Sequence, residues 1–163
     1  MLPVATSRRH RSRFQYRAFS PPNNHLGIND MNTKTPRPTE IKLHQKSRLL
    51  ELAFDDGKTF SLPCEFLRVY SPSAEVRGHG PGQETLQTGK KNVEITAIEP
   101  VGTYAIMPRF SDGHDTGIYS WDLLYEYGLN QEQMWKHYLE RMKGAGASRE
   151  PGPAPFEQRP KSK

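Results

Sequence analysis

The stretch EIKLHQKSRLLELAFDDGKTFSL, residues 40–62, decides the fold because its apolar residues alternate with polar ones in three short runs. Such alternation is typical of β-strands that bury one face. The runs lie at residues 40–45, 50–54 and 60–62. Asp56-Gly57 is a hairpin signal, since glycine accepts the positive φ that tight turns demand. The sequence therefore predicts a three-stranded antiparallel meander. Its apolar positions are Ile41, Leu43, Leu50, Leu52, Phe54, Phe60 and Leu62.

A short helix is predicted directly after the meander. Pro63 suits the first turn of a helix, where its missing N–H costs nothing, and Phe66 and Tyr70 fall on one face at helical spacing. The helix is expected to end at Ser71, because the residue before Pro72 is disfavoured in the α region.

The second half of the chain predicts two more strands and two C-terminal helices. Alternating residues at 93–97 and 104–107 indicate the strands. Ser120 is a good N-cap for the first helix, Gly128 is a typical helix end, and Asn130 begins the second helix. The predicted fold class is α+β: an antiparallel sheet of about five strands, a short helix after the third strand, and two C-terminal helices.

The two ends of the chain differ in charge from the middle. Residues 1–30 contain five Arg and one Asp, giving +4, and residues 144–163 contain four basic and two acidic residues, giving +2. Subtraction from the overall +5 leaves −1 for residues 31–143. The net positive charge of the chain therefore lies at its ends and does not indicate a specific nucleic-acid-binding face. Weak polyanion binding by an Arg-rich arm is the alternative. We expect a disordered extension at residues 1–37, a domain at residues 38–143 and a disordered Pro/Gly-rich tail after it.

Two interpretations of the N-terminus stay open. Residues 8–20, RRHRSRFQYRAFS, are rich in Arg and Ser and poor in acids, as in an organelle transit peptide. Met31 stands just before the first strand, which favours an over-extended start site with Met31 as the natural start.

The sequence predicts a soluble, cytoplasmic protein. No segment has the ~18 consecutive apolar residues of a membrane span, and the N-terminus lacks the apolar core of a secretory signal. The single cysteine, Cys64, excludes an internal disulfide and fits a reducing compartment.

Two kinds of chemistry are disfavoured by the residue patterns. The glycine-rich stretch RGHGPGQETLQTGKKN, residues 77–92, lacks the spacing of a phosphate-binding loop and follows no strand-to-helix junction. Cys64 could act as a nucleophile only with a converging histidine, and a small buried residue is the favoured interpretation.

A metal site is the sharper chemical hypothesis. His79 and His114 are of the residue type that zinc and iron accept, and both lie in glycine-bordered loops. However, 35 residues separate them, and the sequence has no second pair at local ligand spacing, so a structural or exposed role is favoured for each. The polar residues that flank the pair are Glu75, Arg77, Asp112 and Asp115.

Two longer segments carry a family resemblance. LPCEFLRVYSPSAEVRGHGPGQ at residues 62–83 and FSDGHDTGIYSW at residues 110–121, with strands between them, resemble the small-domain family named after the N-terminal domain of gamma-butyrobetaine hydroxylase, in its stand-alone bacterial form. The resemblance covers about residues 38–143. In the oxygenases of this family, the domain precedes a catalytic Fe(II)/2-oxoglutarate domain, which is not expected in this chain, and holds a structural zinc through three cysteines and one histidine.

The resemblance also indicates where this chain departs from its relatives. Aligning the Leu67-Arg68 pair places the zinc-binding cysteines at Ser71, Ser73 and Val76, and the histidine at His114. A structural zinc site needs four ligands, so the zinc is not implied here. Related domains fused to P-loop ATPases of the iron–sulfur assembly type imply, by analogy, an adaptor role.

We therefore expect a non-catalytic interaction module that assists iron or iron–sulfur protein assembly. Its expected partner is an iron–sulfur assembly ATPase or one of its clients. Polar loops on a rigid sheet commonly carry recognition, so two such loops form the predicted contact surface. Its residues are Arg68, Tyr70, Arg77, Gly78, His79, Gly80, Asp112, His114 and Asp115.

Two alternatives stay open. One is an iron- or zinc-binding domain built on His79 and His114, within one chain or shared across a homodimer; no other cofactor is expected. The other is an orphaned relic of a larger oxygenase, which associates with a catalytic domain encoded elsewhere.

Overall fold

A computed structural model of the chain describes residues 35–152; the predictions for the N-terminal arm, including the Met31 start, and for residues 153–163 lie outside this range. The fold is α+β. Its elements are β1 (Pro38–His44), β2 (Leu49–Phe54), β3 (Thr59–Pro63), α1 (Cys64–Val69), α2 (Ala74–Arg77), β4 (Ile95–Val101), β5 (Ala105–Phe110), β6 (Tyr119–Ser120) and α3 (Trp121–Gly144). No helix between residues 35 and 152 has the length and apolar character needed to cross a membrane.

The predicted meander is confirmed. Strands β1, β2 and β3 pair antiparallel in that order, with Ile41 opposite Leu52 and Leu50 opposite Leu62. Their apolar side chains therefore share one face. Gly57 has φ +86° in the turn between β2 and β3, as the hairpin signal predicts.

The prediction of one sheet with about five strands is wrong, because β4, β5 and β6 form a second three-stranded antiparallel sheet. After β3 the chain enters α1 at once, and α1 and α3 pack against β3, so that β4 does not continue the first sheet. Strand β6 is only two residues long and pairs with Ala105 and Ile106. A strand this short carries no recognisable alternation in the sequence.

Both sheets and two helices bury their apolar faces in one core. An apolar cluster that joins four elements resists rearrangement, since each buried side chain loses its contacts if one element moves. Cys64 belongs to this core, and burial raises the pKa of its thiol, in agreement with the prediction of a buried residue. The first sheet contributes Ile41, Leu50, Leu52, Phe54 and Leu62, the second Ile95, Ile98, Ile106 and Phe110, and the helices Phe66, Leu67, Leu124 and Tyr127.

The prediction of two C-terminal helices is also wrong, because α3 runs without a break for 24 residues. Ser120 is its N-cap as predicted, and its hydroxyl accepts a hydrogen bond from the backbone N–H of Leu123 at 3.2 Å. Asn130 lies inside the helix and donates its side-chain N–H to the carbonyl of Glu126 at 2.9 Å. Gly128 also lies inside it, where a Cβ would come within 2.3 Å of the Phe60 ring. This glycine serves close packing and does not end the helix.

The described structure continues past the domain boundary expected at residue 143. The backbone N–H of Gly89 donates to Ser148, and that of Lys91 donates to Arg149. The Arg149 guanidinium donates two hydrogen bonds, of 2.8 and 2.7 Å, to the buried carboxylate of Glu65. These contacts attach residues 148–150 to the domain.

We predict that Gly128→Ala lowers the free energy of unfolding by about 1–3 kcal/mol, because the new methyl group would overlap the Phe60 ring. Helix propensity alone would favour alanine by ~1 kcal/mol. The matched control is Gly144→Ala at the end of the same helix, where a Cβ would meet nothing within 4 Å. Urea unfolding of both variants measures the difference; equal effects would refute the steric account.

Candidate interaction site

The glycine-rich stretch folds into a defined loop, here called the glycine loop (residues 78–87). Gly78 has φ +69°, and a Cβ on it would lie 2.2 Å from the backbone oxygen of Gln83. Only glycine fits there, because both the backbone conformation and the close approach exclude a side chain. The backbone N–H of Thr85 donates to the carbonyl of Val76 at 2.8 Å, which fastens the loop to α2.

The glycine loop and the C-terminal half of α3 enclose a groove of about 850 Å³, here called the α3 groove. This volume lies within the range of ligand sites, roughly 300–1,000 Å³. Charged and polar side chains from α2, the glycine loop and α3 surround the opening: Arg77, His79, Glu84, His137 and Arg141. The other lining residues are mainly apolar and aromatic, and include Val69, Tyr70, Val76, Leu86, Tyr127 and Tyr138.

Three tyrosine hydroxyls fix the width of the α3 groove. Tyr70 donates to the carbonyl of Met134 at 2.7 Å, Tyr127 to that of Tyr70 at 2.6 Å, and Tyr138 to that of Gln87 at 2.9 Å. Burial raises the pKa of all three hydroxyls, that of Tyr138 to about 12, so they remain donors at neutral pH. The groove is therefore formed before any ligand arrives.

The rim of the α3 groove has a positive charge. Arg77 and Arg141 contribute +2 and Glu84 −1, which gives +1 with the histidines neutral. Arg141 donates to the backbone carbonyl of Glu84 at 3.1 Å. Hydrogen bonds from the backbone N–H groups of Glu84 itself and of Gly82 lower the pKa of the Glu84 carboxyl. The exposed His79 has no hydrogen bond or ion pair with any residue from 35 to 152.

A second set of residues, which includes the predicted Arg68 and Asp112, forms a partly buried ion network away from the rim. Arg68, 7% exposed, donates from Nε to Asp112 Oδ2 at 2.8 Å and from Nη1 to Gln87 Oε1 at 3.2 Å. Lys90 Nζ lies 2.5 Å from the same carboxylate oxygen. Burial raises the pKa of Asp112, but the hydrogen bonds from Lys90 and Arg68 outweigh it and hold the pKa below its ordinary value. This network joins α1 to the loop after β5.

A serine–histidine pair completes this buried region. Ser71 Oγ and His114 Nε2 lie 2.7 Å apart, and His114 Nδ1 is 3.5 Å from the carboxylate of Glu75. The backbone N–H of His114 donates to Asp112 at 3.3 Å. Burial, together with the positive charge of Arg68, lowers the pKa of His114. The imidazole is therefore neutral at pH 7.

This serine, histidine and carboxylate have the order of a nucleophilic triad, but access excludes that role. The Ser71 residue is 1% exposed. A Cβ on Gly117 would lie 2.5 Å from Ser71 Oγ, so the backbone of Gly117 closes off the hydroxyl. No substrate carbonyl can approach it in this arrangement. The pair is a structural bridge between two loops.

The four positions that correspond to the zinc ligands of the resembling family do not fit a zinc ion. Ser71 and Ser73 offer hydroxyls and Val76 a hydrocarbon, whereas a structural zinc requires thiolates or imidazoles at all four positions. The buried Ser73 hydroxyl has no hydrogen-bond partner in the part of the chain that the structure describes. Over the same range, no three His, Cys, Asp or Glu side chains are grouped so that they could hold a metal ion. His79 and His114 therefore gain no support as a metal site.

The nine residues predicted for the contact surface thus fall into separate groups. Tyr70, Arg77, Gly78, His79 and Gly80 line the α3 groove. Arg68, Asp112 and His114 belong to the buried network. Asp115 is exposed and belongs to neither.

The sequence prediction missed the half of the α3 groove that belongs to the helix. His137 and Arg141 line it four residues apart on one helix face, as i and i+4 positions do. Their spacing was a usable signal of a shared face. Which segment of the chain lies opposite that helix face depends on tertiary packing, so the sequence alone did not reveal the groove.

The comparisons with known proteins agree with the fold. A family model described as gamma-butyrobetaine hydroxylase-like, N-terminal, matches residues 41–125. One protein with an NMR solution structure is 51% identical, with 82% of this chain and 99% of that chain covered and a TM-score of 0.64. A second NMR structure is 44% identical over 76% of this chain and 97% of that chain, also with a TM-score of 0.64.

A crystal structure of a protein of unknown function of the DUF971 family, from Acidithiobacillus ferrooxidans, is 39% identical over 55% of this chain and 88% of that chain, with a TM-score of 0.45. None of the curated proteins compared with the chain matches it.

We predict that Ser71→Ala lowers the stability of the protein and that Ser73→Ala does not. Ser71→Ala leaves the buried His114 Nε2 without its partner and should lower the free energy of unfolding by about 1–3 kcal/mol. Ser73→Ala removes a buried hydroxyl that has no partner among residues 35–152, so stability should stay equal or rise by up to about 1 kcal/mol. Denaturant titration of both variants measures the contrast. A loss in Ser73→Ala as large as in Ser71→Ala would contradict it.

We predict that His114 makes the protein less stable as the pH falls from 7.5 to 5. The folded-state pKa of His114 is lowered, so the unfolded chain, with a histidine pKa of about 6.5, takes up the proton more readily. The contribution of His114 is therefore complete above the unfolded pKa and is lost as the pH falls below it. Urea titrations at several pH values give the free energy of unfolding as a function of pH. His114→Gln should reduce the slope of this dependence, by at most about 1.4 kcal/mol per pH unit. Parallel curves for the wild type and the variant would rule this out.

Proposed function

The chain belongs to the gamma-butyrobetaine hydroxylase-like N-terminal family, and we propose that it is a non-catalytic interaction module that binds a partner protein through the α3 groove. The observation that carries the proposal is the groove itself: a preformed concave surface of about 850 Å³ with cationic side chains at its rim.

The contacts around the α3 groove favour binding over chemistry. The tyrosine hydroxyls that reach into this region are all bonded to backbone carbonyls. Ser71 is sealed behind the backbone of Gly117. What faces a ligand is a set of charged side chains, the half-buried ring of Tyr70 and loop backbone, which are groups suited to binding.

The rigidity of the walls supports a recognition role. Gly78 holds the glycine loop in a conformation that other residues cannot adopt, and Tyr138 ties the end of this loop to α3 at Gln87. A surface that is ordered before binding loses less conformational entropy when the partner arrives. A loop on a rigid scaffold is also the common location of binding residues.

Our narrower proposal is that the partner is a cytoplasmic iron–sulfur assembly ATPase or one of its client proteins. It is supported by the resemblance to domains that are fused to P-loop ATPases of this type. In this role the chain would act as an adaptor and would not bind the metal itself.

Affinity capture with the full chain tests the proposal. We expect that Arg77→Ala/His79→Ala loses the partners that the wild type recovers, because both side chains stand at the groove. The matched control is Lys46→Ala/Arg109→Ala, which removes two exposed cations outside the groove. Quantitative mass spectrometry of the captured proteins gives the ratio, and circular dichroism verifies that each variant is folded.

Equal recovery by the wild type and by Arg77→Ala/His79→Ala would show that the groove is not the contact surface. A parallel capture in EDTA addresses the metal-binding alternative: retention of the partners supports a metal-independent contact, and their loss supports the alternative.

A further inference from the structure

We infer that the α3 groove binds an acidic segment of the partner protein, a short stretch in which carboxylates flank an apolar side chain. This inference rests on the proposed function and specifies the chemistry of its ligand.

The charge of the groove is opposite to that of the domain around it. Residues 35–152 contain 14 Lys and Arg against 16 Asp and Glu, which gives −2. The rim of the groove has +1 from Arg77, Arg141 and Glu84. A local positive site on a negative domain attracts anions to that site in particular and disfavours them elsewhere.

The two groove arginines differ from the other anchored arginines in lacking a carboxylate partner. Arg68 is bonded to Asp112, and Arg149 makes two hydrogen bonds to Glu65. In contrast, neither Arg77 nor Arg141 has an acidic side chain within ion-pair distance over the described range of the chain.

The N–H groups of these two guanidinium ions are partly engaged. Arg141 donates to a backbone carbonyl, and Arg77 lies against the hydroxyl of Tyr127, where it offsets part of the pKa rise caused by burial. Their remaining N–H groups can take up a carboxylate in the paired geometry that guanidinium favours.

The apolar lining of the groove accounts for the hydrophobic part of the ligand. Val76 and Leu86 line the groove together with Arg77 of α2 and Arg141 of α3. Val76 is buried and Leu86 is half-buried. The half-buried ring of Tyr70 adds apolar surface, since its hydroxyl is already bonded, whereas the rings of Tyr127 and Tyr138 are buried. An aliphatic or aromatic side chain of the ligand would bury its surface here, which a phosphate ion could not do.

The chain's own ends do not suit the groove. Residues 1–30 have a charge of +4 and residues 144–163 a charge of +2. Both would be repelled by the cationic rim. The ligand is therefore a segment of another protein.

Fluorescence anisotropy with the full-length protein tests this inference. The probe is a fluorescein-labelled hexapeptide with two acidic residues, leucine, phenylalanine and two more acidic residues; its twin has the four acids replaced by the corresponding amides. We expect the acidic peptide to bind about tenfold or more tightly than its twin. Arg77→Ala/Arg141→Ala should lower the affinity for the acidic peptide by about tenfold or more. Lys46→Ala/Arg109→Ala should leave this affinity unchanged.

Equal binding of the two peptides, or no effect of Arg77→Ala/Arg141→Ala, would overturn the inference. Displacement of the acidic peptide by inorganic phosphate at an equal concentration would overturn it as well, because it would identify a general anion site. If no peptide binds but Arg77→Ala/His79→Ala still loses its captured partners, only the acidic ligand is wrong. If no peptide binds and Arg77→Ala/His79→Ala also keeps its captured partners, both the acidic ligand and the proposed function are wrong.

Discussion

The attachment of the C-terminal half of α3 to the segment after α1 is the constraint on which the site depends. This half of the helix lies on a small second core of Val69, Tyr138 and Met142. A core of three buried residues would fix the helix poorly by itself, but three hydroxyls add hydrogen bonds. Tyr70 donates to the carbonyl of Met134 in the helix, and Tyr127 and Tyr138 of the helix donate to the carbonyls of Tyr70 and Gln87. Such bonds contribute only about 1 kcal/mol each, yet they specify one distance between helix and loop. The shape of the groove follows from that distance.

The loops at Ser71 and His114, where the resemblance places zinc ligands, are held here by hydrogen bonds. A structural zinc can contribute ~10–16 kcal/mol of folding free energy in small domains, whereas one buried hydrogen bond contributes about 1 kcal/mol. The Ser71–His114 pair therefore links the two loops with much less energy than a metal site would supply. The remaining stability must come from other contacts of the same region, among them the Arg68–Asp112 ion pair and the core that both sheets share.

The sequence predicted those features that local patterns determine. Alternation of apolar residues indicated the meander, and Ser120 was correctly read as a helix cap. The single helix α3 was missed because the role of Gly128 depends on Phe60, which lies far away in the chain and touches it only in the fold. Likewise, the glycine loop was recognisable as one wall of a site, but the residues of the opposite wall look like an ordinary solvated helix face until the packing is known.

The distinction between satisfied and unsatisfied charges is what separates a binding surface from a structural network in this protein. Arg68 and Arg77 stand nine positions apart in one polar stretch, and composition gives no reason to assign them different roles. A buried guanidinium without a carboxylate would be strongly destabilising, so Arg68 must be paired in the folded state. Arg77 is exposed, water solvates its charge, and no such requirement applies. Arg77 can therefore still bind a carboxylate of a ligand. This difference between two arginines is a consequence of the fold and not of the residue type.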